Sequence, residues 1–440
     1  MPPKKSKKTP PTKSRKATSK GAGTPVVVAE SLNQSLNAAK TTKQDEFYTQ
    51  YVDIQKEVEA YLEFDPDAFR AKVVYCNCDD PFESNFFKYF AANFNKLGLK
   101  KLVTTSYDGS PIAGAQLTFG EYDEGNGTRQ KPKAIAIEIE EVKDVNGDGA
   151  TGIEDVKLFL KRNPHTRTRL AGGGDFRSSE CIALLSEADV VVTNPPFSLF
   201  REYIAQLVKH EKRFLIIGNV QAVTYKEIFP LIKGDRVWMG VTIHSGDREF
   251  RVPDHYPLNS AGWRIDENGL KYIRVKGVRW YTNLDHGRRH EELKLMSMAD
   301  NLRYNKKLKG KAYVQYDNYD AIEVSFTDAI PTDYDGVMGV PITFLDKYNP
   351  DQFEILGATQ RGCHDLVPDT KKYDDCWEVR QDGSRTGSSG GKTNENANLV
   401  GNDGRKNYFI NRDGKIIQSA YQRIFISHRR RARPVRGTNE

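Results

Sequence analysis

The segment Asp189–Ser198, DVVVTNPPFS, concentrates the chemistry of this chain. A β-branched run suited to a buried strand passes directly into Asn194-Pro195-Pro196-Phe197 and then into a helical pattern. Such a loop suits methylation of an amino group attached to a planar ring. The lone pair of that nitrogen is delocalised, which makes it a poor nucleophile. Two acceptors, the Asn194 side-chain oxygen and the Pro195 carbonyl, could take its two hydrogens and draw the nitrogen toward a pyramidal geometry. Consecutive prolines fix φ, so Pro195 and Pro196 would hold those acceptors in place before reaction. Phe197 could stack on the base, which has to swing out of a duplex to reach a buried methyl donor. The plainer account is a proline turn that closes a strand, with Phe197 in the core. A buried strand before the motif and an amphipathic helix after it favour the chemical account. DNA, RNA and a protein glutamine amide all present a planar NH2, so the motif alone does not choose among them.

The pattern from Lys72 onward is that of a parallel sheet covered by helices, the architecture able to hold such a loop. Strands are expected at Lys72–Tyr75, Lys101–Thr105, Asp189–Thr193 and Arg213–Gly218. Helices are expected at Ser84–Lys96, Ile182–Glu187 and Leu199–His210. Ala115–Phe119 and Ala134–Glu140 read as an inserted hairpin. A donor would sit at the carboxyl ends of the first strands. There Asn77 and Asp79 could hydrogen-bond its amino-acid end, although a capped turn fits that stretch as well. In Gly172-Gly173-Gly174-Asp175-Phe176, Asp175 and Phe176 could bind and cover an adenine ring; a plain glycine turn is the alternative.

The net charge of +7 resides in the first twenty residues, whose eight Lys and Arg meet no acid. The rest of the chain is close to neutral, so any nucleic-acid surface has to come from local patches. Residues 1–43 are Lys/Pro-rich and expected to be disordered. A core spanning 44–235 and a target-recognition region with remaining core elements over 236–440, ending in an Arg-rich tail, follow from the change in spacing near Val220. Five scattered cysteines read as reduced thiols of an intracellular protein, and no apolar run is long enough for a membrane span. Asp144, Asn146, Asp148 and Asp155 stand at positions 1, 3, 5 and 12 of a calcium-type loop with Gly149 at its turn; an Asx-rich surface turn fits equally. Lys271–Arg289 and Arg303–Lys311 interleave cations with aromatics, as phosphate clamping would require, or as a solvated strand face would show.

Several blocks together resemble the EcoRI-type adenine-specific DNA methyltransferases: Lys43–Tyr51 (KQDEFYTQY), Lys72–Phe90, Leu97–Thr105, Gly172–Phe176, Val191–Phe200 and Gly336–Gly357. The resemblance spans most of the chain after the tail. It implies a Rossmann-like class I methyltransferase core of α/β type with a mixed, mostly parallel sheet, plus an α+β target-recognition lobe. It also implies S-adenosyl-L-methionine as donor and N6 of a flipped adenine in double-stranded DNA as acceptor. By the same resemblance Glu46, Phe47, Tyr48 and Thr49 form the N-terminal cofactor motif, joined by Asn77, Asp79, Asp175 and Phe176. Asn194 to Phe197 are its catalytic residues. A monomer, a cognate restriction nuclease, a bacterial or phage-infected cytoplasm, and a nucleus if the Lys-rich tail is an address complete the expectations. A structural Ca2+ is the one metal expected. Competing readings are a catalytically silent DNA-binding protein and an RNA or protein-amide methyltransferase.

Overall fold

The computed structural model describes residues 48–429 except 78–83, 107, 109–133, 146, 148–151, 164–165, 245–246, 253–255, 257, 259–261, 309–310, 360–372, 374, 390–393, 402–406 and 421. Glu46, Phe47, Asp79, Asn146, Asp148, the strand expected at 115–119 and both charged tails beyond Arg429 and before Tyr48 lie outside the described residues.

The described chain opens with α1 (Tyr51–Phe64), β1 (Val73–Cys76), α2 (Asn85–Ala92), the one-turn α3 (Phe94–Leu97) and β2 (Lys101–Thr105). There follow β3 (Ile135–Ile139), α4 (Ile153–Arg162), β4 (Arg167–Arg169), α5 (Ser179–Glu187), β5 (Val190–Thr193), α6 (Phe200–Lys209) and β6 (Arg213–Asn219). Next come α7 (Phe229–Lys233), β7 (Trp238–Met239), β8 (Asp247–Val252), β9 (Arg264–Ile265), β10 (Lys271–Lys276) and β11 (Val278–Thr282). Side-chain caps mark helix starts: the Ser84 hydroxyl accepts from the Phe86 N–H and the Ser178 hydroxyl from the Cys181 N–H.

Eight strands form one sheet in the order β4-β3-β2-β1-β5-β6-β11-β7. Its centre, β2-β1-β5-β6, is parallel, while β3, β4, β11 and β7 join by antiparallel pairing. The expected mostly parallel sheet is therefore parallel only at its centre. Ile135–Ile139 pairs antiparallel with β2 and β4 inside the main sheet, while the other strand of the expected hairpin lies outside the described residues. Residues alternate between faces as the pleat requires. Val74, Cys76, Val190, Val192, Leu215 and Ile217 pack toward α1 and α2. Val73, Tyr75, Val191, Phe214 and Ile216 pack toward α5 and α6.

The remaining chain adds α8 (Met298–Tyr304), a four-stranded sheet of β12 (Ile322–Glu323), β13 (Met338–Pro341), β14 (Phe353–Ala358) and β20 (Arg423–His428), and a five-stranded sheet built from β15 (Trp377–Arg380), β16 (Arg385–Ser389), β17 (Asn398–Val400), β18 (Asn407–Ile410) and β19 (Ile416–Ser419). Ile322, Met338, Val340, Ile355, Ile424 and Ile426 share one apolar cluster with Val191, Phe200 and Ile216, so this half is packed onto the α5 and α6 side of the core.

Two consequences are measurable. A Cβ at Gly218 would lie 2.5 Å from the ring of Phe200, the first residue of α6. Gly218→Ala should therefore cost roughly 1–3 kcal/mol by overpacking, read as a lower urea midpoint; an unchanged midpoint would contradict the packing. His286 is buried, with Nε2 donating to the Met239 carbonyl (3.0 Å) and Nδ1 accepting from the Arg289 N–H (3.3 Å). Burial pushes its pKa from 6.5 down to about 4. The unfolded chain then binds the proton first as pH falls, so the stability His286 contributes is complete above pH 6.5 and lost toward pH 4. The destabilisation caused by His286→Gln should shrink across that window in urea titrations, and a difference independent of pH would refute this.

Candidate active site

Strands β1 and β5 are neighbours, yet β1 is followed in the chain by β2 on its other side. The sheet thus reverses its winding between β1 and β5, and in open α/β sheets ligands bind in the crevice that opens there, beyond the carboxyl ends. Asn77 and Asn194 are the residues that leave those two ends.

Hydrogen bonds fasten the rim of this crevice. Asn77, buried at 2% exposure, accepts at Oδ1 from the Thr105 hydroxyl at the end of β2 (3.0 Å). Tyr75 hydroxyl and Thr105 Oγ1 are 3.1 Å apart. The Asn77 carbonyl accepts from the hydroxyl of Thr193, the last residue of β5. Thr105, Asn77 and Thr193 consequently clasp three carboxyl ends together. The Asn77 side-chain oxygen, expected to face a cofactor, is turned to β2.

Asn194 follows the clasp directly. Its residue is partly exposed, but Oδ1 is shielded from solvent. Pro195 and Pro196 are buried, and the chain enters a short helical turn at Phe197–Leu199 before α6. The Leu199 N–H donates to the Pro196 carbonyl (2.9 Å). Phe197 is partly buried against the α1 and α2 side of the core. A buried strand, two prolines and a helix start thus fix the Asn194 position from both sides.

Of the N-terminal motif, Tyr48 and Thr49 are described. Tyr48 pairs with Arg251 of β8 through backbone hydrogen bonds (3.0 and 3.3 Å), and the Arg251 guanidinium lies 5.3 Å from its ring. The Thr49 carbonyl accepts from the Asn85 amide (2.7 Å) at the first turn of α2, the helix that follows β1. Thr49 is therefore brought beside the crevice. Its hydroxyl is buried with no hydrogen-bond partner among the described residues, a donor and acceptor left for a ligand.

The glycine turn follows a different local logic. Gly173 and Gly174 have φ of +66° and +73°, and a Cβ on Gly172 would meet Ser178 at 2.7 Å. Glu180 accepts from the Ala171 and Gly172 N–H groups (3.1 and 2.7 Å), which holds its carboxyl below the usual range. Asp175 is gripped by Arg177 through two contacts (2.9 and 2.7 Å), both side chains nearly half exposed, so the pair is easily exchanged for another partner. Phe176 is buried at 3% exposure, edge to face on Tyr203 at 5.1 Å. Its ring is core here, not an open platform. Sequence reasoning passed over Asp108, just beyond β2; it accepts from the Ala134 N–H (2.5 Å), and its own N–H donates to the Gly173 carbonyl (2.8 Å). Its signal was a lone acid a few residues past a strand end, obscured by the glycine-rich stretch that follows.

The calcium-type loop resolves differently from the ligand pattern. Asp155 Oδ1 accepts from the Val145 N–H (2.8 Å) and Oδ2 from the Gly152 N–H (2.9 Å), so this carboxylate caps α4. Asp144 accepts from the Gly147 N–H in an Asx turn (2.6 Å). No cluster of three metal-ligating side chains occurs among the described residues. Structural calcium is therefore not supported.

Lys271–Arg289 also divides. Arg274 and Lys276 of β10 are exposed, but Arg279 is buried in an ion pair with Asp346 (2.8 and 3.0 Å), Arg289 pairs with Asp235 and lies 3.9 Å from the Trp238 ring, and Trp280 and Tyr281 are core. Arg279, Trp280, Tyr281 and Arg289 are therefore structural. Arg303–Lys311 remains largely exposed, with Lys307 and Lys311 near the Phe326 ring. No helix among the described residues is long and apolar enough to cross a membrane.

Comparison with known proteins agrees with this geometry. Residues 35–429 match the family model described as "Adenine-specific methyltransferase EcoRI". The chain is 47% identical over 332 residues to the Type II methyltransferase M.EcoRI of Escherichia coli, covering 74% of this chain and 89% of that protein. It is 36% identical over 324 residues to the Type II methyltransferase M.MpnI of Mycoplasma pneumoniae, covering 73% and 84%. A relative from Mycoplasma genitalium, the Type II methyltransferase M.MgeORF184P, is also 36% identical, over 322 residues, covering 73% and 84%. No solved structure matches. With Asn194-Pro195-Pro196-Phe197 at the sheet's switch point and a family match across most of its length, this chain belongs to the EcoRI family of adenine-specific methyltransferases.

Proposed function

We propose that this chain transfers a methyl group from S-adenosyl-L-methionine to N6 of adenine at a specific sequence in duplex DNA. The observation that carries the reading is Asn194-Pro195-Pro196-Phe197 leaving β5 at the switch point, with Thr193 clasped to β1. The names of the relatives, adenine-specific and Type II methyltransferases, support the same substrate.

The residues present fit the donor. The buried, unsatisfied Thr49 hydroxyl stands on one side of the crevice. Asp108 and Asp175, beyond β2 and beside the glycine turn, are the carboxylates available for its hydroxyl and amino groups. Glu46, Phe47 and Asp79 complete the set by resemblance. Phe176 backs this side from within the core. Bound S-adenosyl-L-methionine supplies an electrophilic methyl group and leaves as a neutral thioether. Asn194 Oδ1 and the Pro195 carbonyl accept the two hydrogens of the adenine amino group, which localises its lone pair for in-line attack. Pro196 keeps these acceptors from rearranging, and Phe197 lies against the extruded base. After the C–N bond forms, the alkylated nitrogen gives up one proton to solvent, since neither amide oxygen is basic enough to keep it. The chain after residue 236 that lies outside the core sheet supplies the surface that reads the target sequence.

Asn194→Ala should retain cofactor binding and lose at least about 100-fold in turnover, because only charge developing at the reacting nitrogen is left unsupported. The check is transfer of labelled methyl to duplex DNA of mixed sequence, with N6-methyladenine mapped in the product. Undiminished transfer by the variant would remove Asn194 from the chemistry, and label appearing in RNA or protein but not in DNA would overturn the substrate.

A further inference from the structure

Beyond the basic tail the chain balances its charge, but Ser297–Lys311 (SMADNLRYNKKLKGK) does not: it holds five Lys and Arg against one acid. The fold neutralises little of this excess. Asp300 is turned back on its own helix, where its carboxylate accepts from the Ser297 hydroxyl (2.7 Å). Lys307 meets Asp328 (2.7 Å), but both side chains are about half exposed, so that pair is easily exchanged for another. Arg303, Lys306 and Lys311 are exposed and make no ion pair among the described residues.

Short-range bonds gather these charges on one firmly seated arm. Asn301 of α8 is fully buried, and its amide donates to the Met296 carbonyl (3.3 Å). After the helix, the Leu308 N–H donates to the Asn305 carbonyl (2.9 Å) and the Lys311 N–H to the Leu308 carbonyl (2.8 Å). Turns of this kind bring their ends within about 7 Å, so the cations follow one another closely. Leu308, between the two turns, is core and belongs to the apolar cluster that also holds Val191 of β5 and Phe200 of α6. Lys307 and Lys311 both reach the Phe326 ring, at 5.4 and 5.3 Å from its centre.

The seated arm still leaves apolar side chains in solvent. Tyr304 is 60% exposed and Leu302 39%, with the Arg303 guanidinium 5.1 Å from the Tyr304 ring. Unneutralised cations interleaved with exposed apolar side chains match a nucleic-acid duplex, whose phosphates take the charges and whose sugars and base edges cover the apolar surface.

We propose that α8 and the basic turns after it form the arm that lies along the DNA, with Arg303, Lys306 and Lys311 on backbone phosphates and Tyr304 against a neighbouring sugar or base edge. Leu308 and the two turns fix the arm in advance, so docking costs little chain entropy. The inference rests on the DNA reading above and names the surface that meets the duplex.

The test uses the full chain and a fluorescent duplex containing the sequence mapped in the methylation assay. Binding is measured against salt for wild type, Arg303→Gln, Lys306→Gln, Lys311→Gln, the triple variant, Tyr304→Ala and Lys209→Gln. Lys209, exposed at the end of α6 and so on the rim opposite Asn194, is the control for loss of charge as such. Each single arm variant should lower the slope of log affinity against log salt by about 1, and the triple variant by about 3, with S-adenosyl-L-methionine affinity unchanged. Tyr304→Ala should lose affinity at an unchanged slope, and Lys209→Gln should match wild type in both. Wild-type slopes in the arm variants, an equal drop in Lys209→Gln, or a Tyr304→Ala protein that binds as wild type would overturn the arm. A wild-type protein that binds no DNA would overturn the underlying substrate reading instead.

Discussion

The site depends on one small clasp: the Thr105 hydroxyl on Asn77 Oδ1, and the Thr193 hydroxyl on the Asn77 carbonyl. These two bonds join the carboxyl ends of β2, β1 and β5, whose mutual backbone pairing ends at Cys76↔Thr104 and Tyr75↔Val191. Beyond those residues the ladder stops, and without the clasp the departing loops would diverge. A buried hydroxyl–amide bond is worth far more here than on a surface, because breaking it strands polar atoms away from water. Asn194 inherits its position from Thr193, and two prolines leave it little freedom thereafter.

The second half of the chain contributes rigidity from the other direction. Arg279 and Asp346, both nearly inaccessible, couple β11 to the turn Ile342–Lys347. Burial pushes the Asp346 carboxyl up against the pull of Arg279, as expected where desolvation competes with pairing. Glu57 plays a similar part on the opposite face, accepting from the Val241 and Thr242 N–H groups (both 2.7 Å) and so tying α1 to the segment that leads to His244. The rim around His244 is thereby anchored to both layers of the core.

Much of this was legible in sequence because the signals were local. DVVVT and RFLIIG are continuous apolar runs, as strands buried on both faces must be, and they are strands within a residue of the expected bounds. The Asn-Pro-Pro-Phe loop needed only its neighbours to be placed. What pattern could not reveal was pairing. AIAIEIE alternates like a hairpin strand, and nothing in it specifies β2 as its partner. Arg279 looks like its exposed neighbours Arg274 and Lys276 until Asp346, far along the chain, is brought against it. Asp155 matched a ligand position by spacing, but the N-cap Gly152 N–H and the loop N–H of Val145 occupy its two oxygens. Long-range partners decide the first two and a competing local cap decides the third, and spacing is blind to both.

The central claim is that donor and base meet at the switch point between β1 and β5. Hydrogen exchange of the full chain, read by mass spectrometry with S-adenosylhomocysteine and then with duplex DNA added, addresses it directly. The account predicts that S-adenosylhomocysteine slows exchange at Tyr48–Gln50, Tyr75–Asn77 and Gly172–Phe176, and that DNA extends protection to Asn194 and Phe197. Protection confined to the strands after Ile322, with the switch-point segments unchanged, would contradict it.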